Sequence, residues 1–189
     1  MKMEFHKNYI PLFQYKKYVN QRYFLISGSR ASGKSTTMAN FLVQQLHDEN
    51  DKVIVYARYI LKNAESTIVK EVCSAIDNLG LSNEFQYIKS EQTLININTN
   101  SIIYFRGLKT SDGKNTAALK SISKISMFFL DEGEELDGPD AEQLFNTIDS
   151  SLRNNKTKNI ICISFNPQSA NSFLHDRFYK DVDIEFNRC

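Results

Sequence analysis

Cysteine and low-complexity sequence are scarce in this chain of 189 residues, and their scarcity excludes several classes of protein. The three cysteines, Cys73, Cys162 and Cys189, are widely separated and odd in number. They predict neither a disulfide framework nor a zinc site, so we expect reduced thiols, as in a cytosolic protein. Internal repeats, low-complexity tracts and a dividing linker are also missing. We therefore expect a single domain over residues 1–189.

Charge of one sign and long hydrophobic runs are lacking as well. The chain has 23 basic and 22 acidic residues, a net charge of +1. This balance gives no overall field that would attract nucleic acid or an anionic membrane, although a local basic patch is compatible with it. No apolar run approaches the ~20 residues that span a bilayer. The first residues lack the apolar stretch of a signal peptide, so the sequence predicts no membrane association.

Glycine is also scarce, yet two of the seven glycines fall in one motif. Residues 28–36 read Gly-Ser-Arg-Ala-Ser-Gly-Lys-Ser-Thr, a complete G-x-x-x-x-G-K-[ST] phosphate loop. Its backbone N–H groups point at phosphate oxygens, Lys34 reaches the β- and γ-phosphates, and the Ser35 hydroxyl ligates Mg²⁺. The predicted phosphate-binding residues are Gly28, Ser29, Arg30, Ala31, Ser32, Gly33, Lys34, Ser35 and Thr36.

The sequence around this loop alternates between short apolar runs and longer helical patterns. Predicted strands are 23–27, 52–57, 85–88, 93–97, 101–105, 125–130 and 159–165. Predicted helices are 35–47, 63–79 and 140–152, and the polar stretch 110–116 reads as a loop. The alternation predicts an α/β phosphate-loop NTPase fold, in which helices flank a mainly parallel central sheet. A turn at 98–100 predicts a hairpin, which adds antiparallel strands.

A second motif ends the apolar strand at residues 125–130 with two carboxylates, Asp131 and Glu132. In phosphate-loop enzymes we expect such a strand to lie beside the loop strand. Its first acid then holds Mg²⁺, and the next acid positions and deprotonates the attacking water. Glu134 and Glu135 follow, and we interpret them as a solvated, acidic first turn of the next helix.

Two further side chains have alternative interpretations. Arg30 lies inside the phosphate loop, where its guanidinium could stabilise transition-state charge; otherwise it is an exposed surface arginine. Asn166 follows the strand at 159–165, where its amide could bind the attacking water or the γ-phosphate and so report the nucleotide state. The alternative for Asn166 is an ordinary Asn-Pro turn.

The motifs occur in a recognisable order. After the phosphate loop come Tyr-Phe-Arg-Gly at 104–107, Leu-Lys-Ser-Ile at 119–122, Phe-Phe-Leu-Asp-Glu-Gly-Glu-Glu-Leu at 128–136 and Ser-Phe-Asn-Pro at 164–167. In this combination the chain resembles the ATPase half of the large terminase subunit of tailed bacteriophages, over roughly residues 20–180. The phosphate loop is shared by many NTPases, whereas the acidic motif together with Ser-Phe-Asn-Pro is much more specific.

This resemblance implies a function and partners. Residues 28–36 would bind ATP, Asp131 and Ser35 would hold Mg²⁺, Glu132 would be the catalytic carboxylate, and Asn166 would couple hydrolysis to movement. Such proteins form a homo-oligomeric ring, typically a pentamer, on the portal protein of an empty procapsid and drive double-stranded DNA inside. The small terminase subunit is a further partner. The resemblance places this activity in the cytoplasm of the bacterial host during virion assembly.

The sequence departs from the family pattern in two places. Some members supply an arginine finger to the neighbouring subunit shortly before the acidic motif, where this chain has Lys120, with Lys124 close by. Either lysine could equally be a solvated loop charge, which we favour. Large terminases also continue into a nuclease domain, for which we find no counterpart, so the sequence predicts an ATPase domain without nuclease activity. Asp181, Asp183 and Glu185 are interpreted as a solvated strand edge.

Some assignments remain alternatives at this level. Phe13 or Tyr15 could stack on adenine while Gln14 reads its edge, or this segment packs on the core, which we favour. Lys109, Lys114 and Lys120 are candidate contacts to DNA phosphates. A helicase-type or recombination-type nucleic-acid ATPase and a nucleotide-dependent assembly scaffold are the alternative functions.

Overall fold

One seven-stranded sheet forms the centre of the computed structural model, which describes residues 5–61, 67–109, 119, 121–154, 156–167 and 172–180. The strands are β1 (Tyr23–Ser27), β2 (Val53–Ile60), β3 (Phe85–Ile88), β4 (Thr93–Asn96), β5 (Ile102–Lys109), β6 (Met127–Asp131) and β7 (Ile160–Phe165). Their order is β1-β7-β6-β2-β5-β4-β3. The first five strands of this order are parallel, and β4 and β3 add antiparallel pairs, so the predicted fold class is confirmed.

Helices cover both faces of the sheet. They are α1 (Ile10–Phe13), α2 (Lys34–Asp48), α3 (Ile68–Asn78), α4 (Ala141–Ser151) and α5 (Phe173–Phe178). The buried side chains of α1, α2 and α3 share one core with Phe129, whereas those of α4 and α5 share the other with Phe128. Because β6 is covered on both faces, it is apolar at consecutive positions rather than alternating ones. None of the helices within the described ranges is both long and apolar enough to cross a membrane.

The order of the strands differs from the expectation in one important respect. The acidic strand β6 does not lie beside the loop strand β1, because β7 pairs with both of them. Ile26 of β1 pairs with Ser164, and Ile163 pairs with Leu130 of β6. Strand order depends on where the crossover connections run, which a local sequence pattern does not encode. The insertion of β7 brings the end of that strand between the phosphate loop and the acidic pair.

Most element boundaries agree with the prediction to within a few residues. The hairpin of β4 and β5 is confirmed, and the Asn96 side chain accepts hydrogen bonds from the N–H groups of Asn98 and Thr99 in its turn. Strands β2 and β5 both run longer than predicted, to Ile60 and Lys109. The predicted start of the second helix, the centre of the polar loop and residues 181–186 lie outside the described residues.

The aromatic segment before β1 packs into the core. Tyr15 is 2% exposed, and its hydroxyl donates to Gln45 at 2.9 Å. Phe13 contacts Phe41 edge to face, with ring centroids 5.4 Å apart. Tyr15 is therefore not available to stack on a base, and the packing interpretation describes it. Within the described part of the chain, Cys73 and Cys162 are free thiols.

Candidate nucleotide site

The phosphate loop connects β1 to the first turn of α2. Gly33 precedes that helix with a φ of 82°, in the left-handed region where glycine is favoured. The first backbone N–H groups of any helix lack intrahelical partners and carry the positive end of its dipole, and here no side chain caps them. They face a cleft of about 440 Å³, lined by residues 30–36, Glu71, Asp131, Glu132, Glu134, Ser164, Phe165 and Asn166. The predicted context of the motif is therefore present.

Lys34 lies in this cleft with its ammonium surrounded by oxygen atoms. Its Nζ donates to the carbonyl oxygens of Gly28 at 2.7 Å and Ser29 at 2.9 Å. It also donates to Oδ1 of Asn166 at 3.0 Å. The end of β7 thus contacts the phosphate loop directly, through a lysine that the motif assigns to phosphate binding.

The two acids after β6 occupy different environments. Asp131 is 8% exposed and accepts a hydrogen bond from the Ser164 hydroxyl at 2.7 Å. Glu132 has a φ of 53°, an uncommon conformation for a residue with a side chain, and it turns the chain away from the sheet. Its side chain is 43% exposed, and its carboxylate forms an ion pair with Arg58. One acid is thus buried and fixed, whereas the next reaches into the open cleft.

The side chains around Asp131 include oxygen ligands of the kind that Mg²⁺ prefers. Ser35 and Asp131 offer a hydroxyl and a carboxylate to the same cleft. The Asp131 oxygen that does not bind Ser164 is 3.8 Å from Arg58 Nε, too far for a hydrogen bond. Mg²⁺ prefers such oxygen ligands and usually completes its shell with phosphates and water. Groups of three or more His, Cys, Asp or Glu side chains that could hold a metal are absent from the described ranges. The residues therefore fit an Mg²⁺ ion bound together with a nucleotide.

Arg58 is a site residue that the sequence reasoning missed. It lies near the carboxyl end of β2, paired in register with Asp131 of the neighbouring strand. Its side chain is 16% exposed and contacts both acids. The predicted strand ended at residue 57, one position too early to include it. A basic residue directly after an apolar strand was the available signal, but its neighbours became clear only from strand order.

Tyr56 lies under Arg58 on the same face of β2. Its side chain is fully buried, and its hydroxyl has no hydrogen-bond partner among the residues described. Burial raises the pKa of Tyr56 well above its ordinary value, and the charge of Asp131 raises it further. The Tyr56 phenol is therefore neutral and adds no second negative charge beside Asp131.

Glu134 is not the solvated residue that the sequence predicted. It lies in a 3₁₀ turn, Gly133–Glu135, and its carboxylate accepts a hydrogen bond from Asn166 Nδ2 at 2.6 Å. The turn packs closely on β7, because a Cβ atom on Gly133 would lie 2.3 Å from Ile163 Cγ2. This contact presents Glu134 to the end of β7. Glu135 is exposed, as expected, but the following helix begins only at Ala141.

The comparison with sequence families decides the relationship of this chain. A family model described as phage terminase large subunit matches residues 20–188. The chain belongs to this family. Its phosphate loop, acidic pair and Ser-Phe-Asn-Pro segment all lie within the matched range, so the resemblance inferred from the motifs is confirmed. A search among curated protein sequences finds no match.

Solved structures of terminases share the fold of this family member. The large terminase of a thermophilic bacteriophage aligns with a TM-score of 0.69 and 14% identity, over 93% of this chain and 42% of the phage chain. The large terminase of bacteriophage HK97 aligns at 0.64 with 21% identity, over 90% and 34% of the two chains. The N-terminal domain of the phi29 packaging ATPase aligns at 0.63 with 13% identity, over 93% and 87%. The chain thus spans less than half the length of the first two terminases.

The remaining predicted residues of the terminase chain are placed less centrally or lie outside the described residues. Arg30 is exposed on the loop and lines the cleft. Lys109, a candidate DNA contact, is only 12% exposed and lies 3.4 Å from Asp140, so its charge is engaged within the domain. Lys114 and Lys120 lie outside the described residues.

Proposed function

We propose that this chain is the ATPase domain of a viral DNA-packaging motor, which hydrolyses ATP with Mg²⁺ to move double-stranded DNA into a procapsid. One observation carries the proposal. Lys34, the adjacent acids Asp131 and Glu132, and Asn166 come from three distant segments of a chain in the terminase family, yet all four residues line one cleft at the carboxyl ends of parallel strands. Ligands of open α/β sheets bind at this edge.

Each residue has a distinct part in the proposed reaction. The first turn of α2 and Lys34 bind the phosphates, and Ser35 and Asp131 hold Mg²⁺. Mg²⁺, when bound, neutralises charge on the phosphate oxygens. Glu132 accepts a proton from the attacking water, as a general base does. Arg58 pairs with Oε2 of the Glu132 carboxylate in this structure, so the proton would go to Oε1, or to Oε2 after the ion pair opens.

Structural relatives support a nucleotide-driven motor. The large terminase of the thermophilic bacteriophage has been solved in complex with ADP and with ATP-γ-S. The phi29 genome-packaging motor assembly aligns with this chain at a TM-score of 0.61 and 15% identity. By analogy we propose a ring of identical subunits, in which Arg30 in cis, or Lys120 from a neighbouring subunit, stabilises the transferred phosphoryl group.

The same proposal extends to partners and place. The ring would bind the portal protein and the small terminase subunit and act in the cytoplasm of the bacterial host. Contacts to DNA would be made through its phosphates, because packaging must not depend on sequence. Since Lys109 pairs with Asp140, Lys114 and Lys120 are the proposed contacts to DNA phosphates.

Phosphate release from Mg-ATP, measured with and without double-stranded DNA, tests the proposal. We expect turnover that DNA stimulates. In the Glu132→Gln variant we expect turnover to fall by about 10²-fold or more, the usual contribution of a general base, while ATP still raises the melting temperature. The matched control is Glu135→Gln, which removes an exposed carboxylate three residues away and should keep wild-type turnover.

The other outcomes separate the alternatives. Equal turnover in Glu132→Gln and wild type would contradict the role of Glu132 as base. ATP binding without turnover, with or without DNA, would favour an assembly scaffold over a motor. ATP-dependent separation of a DNA duplex into strands would favour a helicase-type enzyme.

A further inference from the structure

The Asn166 side chain lies between two groups of opposite charge. Its Nδ2 donates to Glu134 Oε1 at 2.6 Å, and its backbone N–H donates to Glu134 Oε2 at 3.2 Å. On the other side, its Oδ1 accepts from Lys34 Nζ at 3.0 Å. Glu134 therefore binds both the side chain and the backbone of Asn166, the residue that contacts Lys34.

These contacts allow only one orientation of the Asn166 amide. An ionised carboxylate can only accept hydrogen bonds, and an ammonium can only donate them. If the amide were turned by half a rotation, its oxygen would face the Glu134 carboxylate and its NH₂ group would face the Lys34 ammonium. Both contacts would then be repulsive. Pro167 separately restricts the Asn166 backbone, because a residue before proline favours extended conformations.

The fixed orientation decides which chemistry Asn166 can perform. When a nucleotide binds, Lys34 is expected to turn to its phosphates. Asn166 then presents its acceptor oxygen Oδ1 to the cleft, while one N–H of its Nδ2 stays bonded to Glu134. Phosphate oxygens are acceptors too, so they gain no hydrogen bond from Asn166 Oδ1. A water molecule beside the terminal phosphate does, because it donates.

We propose that Glu134 is a positioning residue that holds the Asn166 amide with its carbonyl oxygen toward the cleft, so that Asn166 Oδ1 accepts a hydrogen bond from the attacking water. This inference rests on the proposed ATPase function and adds a residue to it. The turn that carries Glu134 packs closely on β7 at Gly133, and this packing holds the Glu134 carboxylate beside Asn166.

Four variants test the orientation. Glu134→Gln offers either a donor or an acceptor to Asn166 and no longer selects one amide orientation. Asn166→Asp keeps an acceptor toward the cleft but places a second carboxylate against Glu134. The double variant restores a donor against an acceptor, because the new glutamine NH₂ group can bind the new aspartate. Glu135→Gln is the matched control, since its side chain makes no hydrogen bond or ion pair with any described residue.

Turnover and KM for ATP provide the first readout. We expect each single variant to lower kcat by about tenfold or more, as loss of a charged hydrogen bond does, and the double variant to recover to within about threefold of wild type. KM for ATP should be higher than that of wild type in both Asn166→Asp and the double variant, because both carry an added negative charge beside Lys34. Glu135→Gln should match wild type in both constants. If Glu134→Gln behaves like Glu135→Gln, or if the double variant is no faster than the slower single variant, the inference is wrong.

Melting temperature without nucleotide provides a readout that needs no turnover. We expect the double variant to melt about 2–8 °C above Asn166→Asp, because it replaces two facing carboxylates by a hydrogen-bonded pair. Equal melting temperatures would overturn the pairing. A wild-type protein without turnover would instead count against the proposed function, and the melting comparison would still decide whether Glu134 orients Asn166.

Discussion

Lys52 should make the stability of this protein depend on pH in the alkaline range. Its side chain is 1% exposed, and its ammonium donates to the Tyr15 hydroxyl at 2.9 Å, with the Glu49 carboxylate 4.0 Å away. Burial lowers the pKa of Lys52 from 10.5 to about 8, and Glu49 only partly offsets this effect. The folded protein therefore releases this proton at a lower pH than the unfolded chain does.

The sign and size of the effect follow from linkage. Between about pH 8 and 10.5 the unfolded state binds more protons at this site, so the Lys52 contribution to the free energy of unfolding rises with pH. At about 1.4 kcal/mol per pKa unit, the full rise is about 3 kcal/mol, of which about 2 kcal/mol is present by about pH 9.5. Lys52→Met, a variant of similar shape without a titrating group, should lack this rise.

Urea denaturation of wild type and Lys52→Met at about pH 7 and about pH 9.5 measures the difference directly. We expect Lys52→Met to be at least as stable as wild type near neutrality, because replacing a buried charge by a hydrophobic group is often stabilising. Wild type should then gain about 2 kcal/mol relative to the variant at the higher pH. The exposed Lys17→Met serves as the control and should show no such change. A constant difference between wild type and Lys52→Met at both pH values would refute the reasoning.

Two further predictions concern the nucleotide site. Lys34→Ala should abolish the rise in melting temperature that Mg-ATP produces, because the phosphates lose the ammonium group that binds them. The control Lys156→Ala, at an exposed position, should keep this rise. A normal rise in Lys34→Ala would contradict the phosphate-binding role of Lys34. Gly133→Ala should lower stability by about 1–3 kcal/mol, a loss of about 2–4 °C in melting temperature per kcal/mol, because its Cβ atom would lie 2.3 Å from Ile163 Cγ2. An unchanged melting temperature for Gly133→Ala would mean that β7 and the turn are not packed as described.

Much of the fold could be predicted because its signals are local. The bounds of β1 agree with the prediction at both ends, since an apolar run bounded by polar residues defines a buried strand. The helix after the phosphate loop and the β4–β5 hairpin were predicted for similar reasons. The loop motif itself is a contiguous segment, so its glycines and lysine specify a phosphate cradle before any distant contact forms.

Which side chains meet in the candidate site could not be predicted from the sequence, because it depends on contacts between residues far apart in the chain. Insertion of β7 between β1 and β6 brought Asn166 to Lys34, and the pairing of β2 with β6 brought Arg58 to the acids. Glu134 shows the same limit, because its charge suggested solvation and only the turn on β7 placed it against Asn166.

The sequence by itself therefore determined the element types, the phosphate loop and the acidic pair, and through its motifs the terminase family. Each of these depends on the spacing of residues within one short segment. Only the tertiary structure decided which of those segments become neighbours, because strand order and close packing arise from the whole chain. The Arg58–Glu132 ion pair and the Glu134–Asn166–Lys34 contacts are products of that second level.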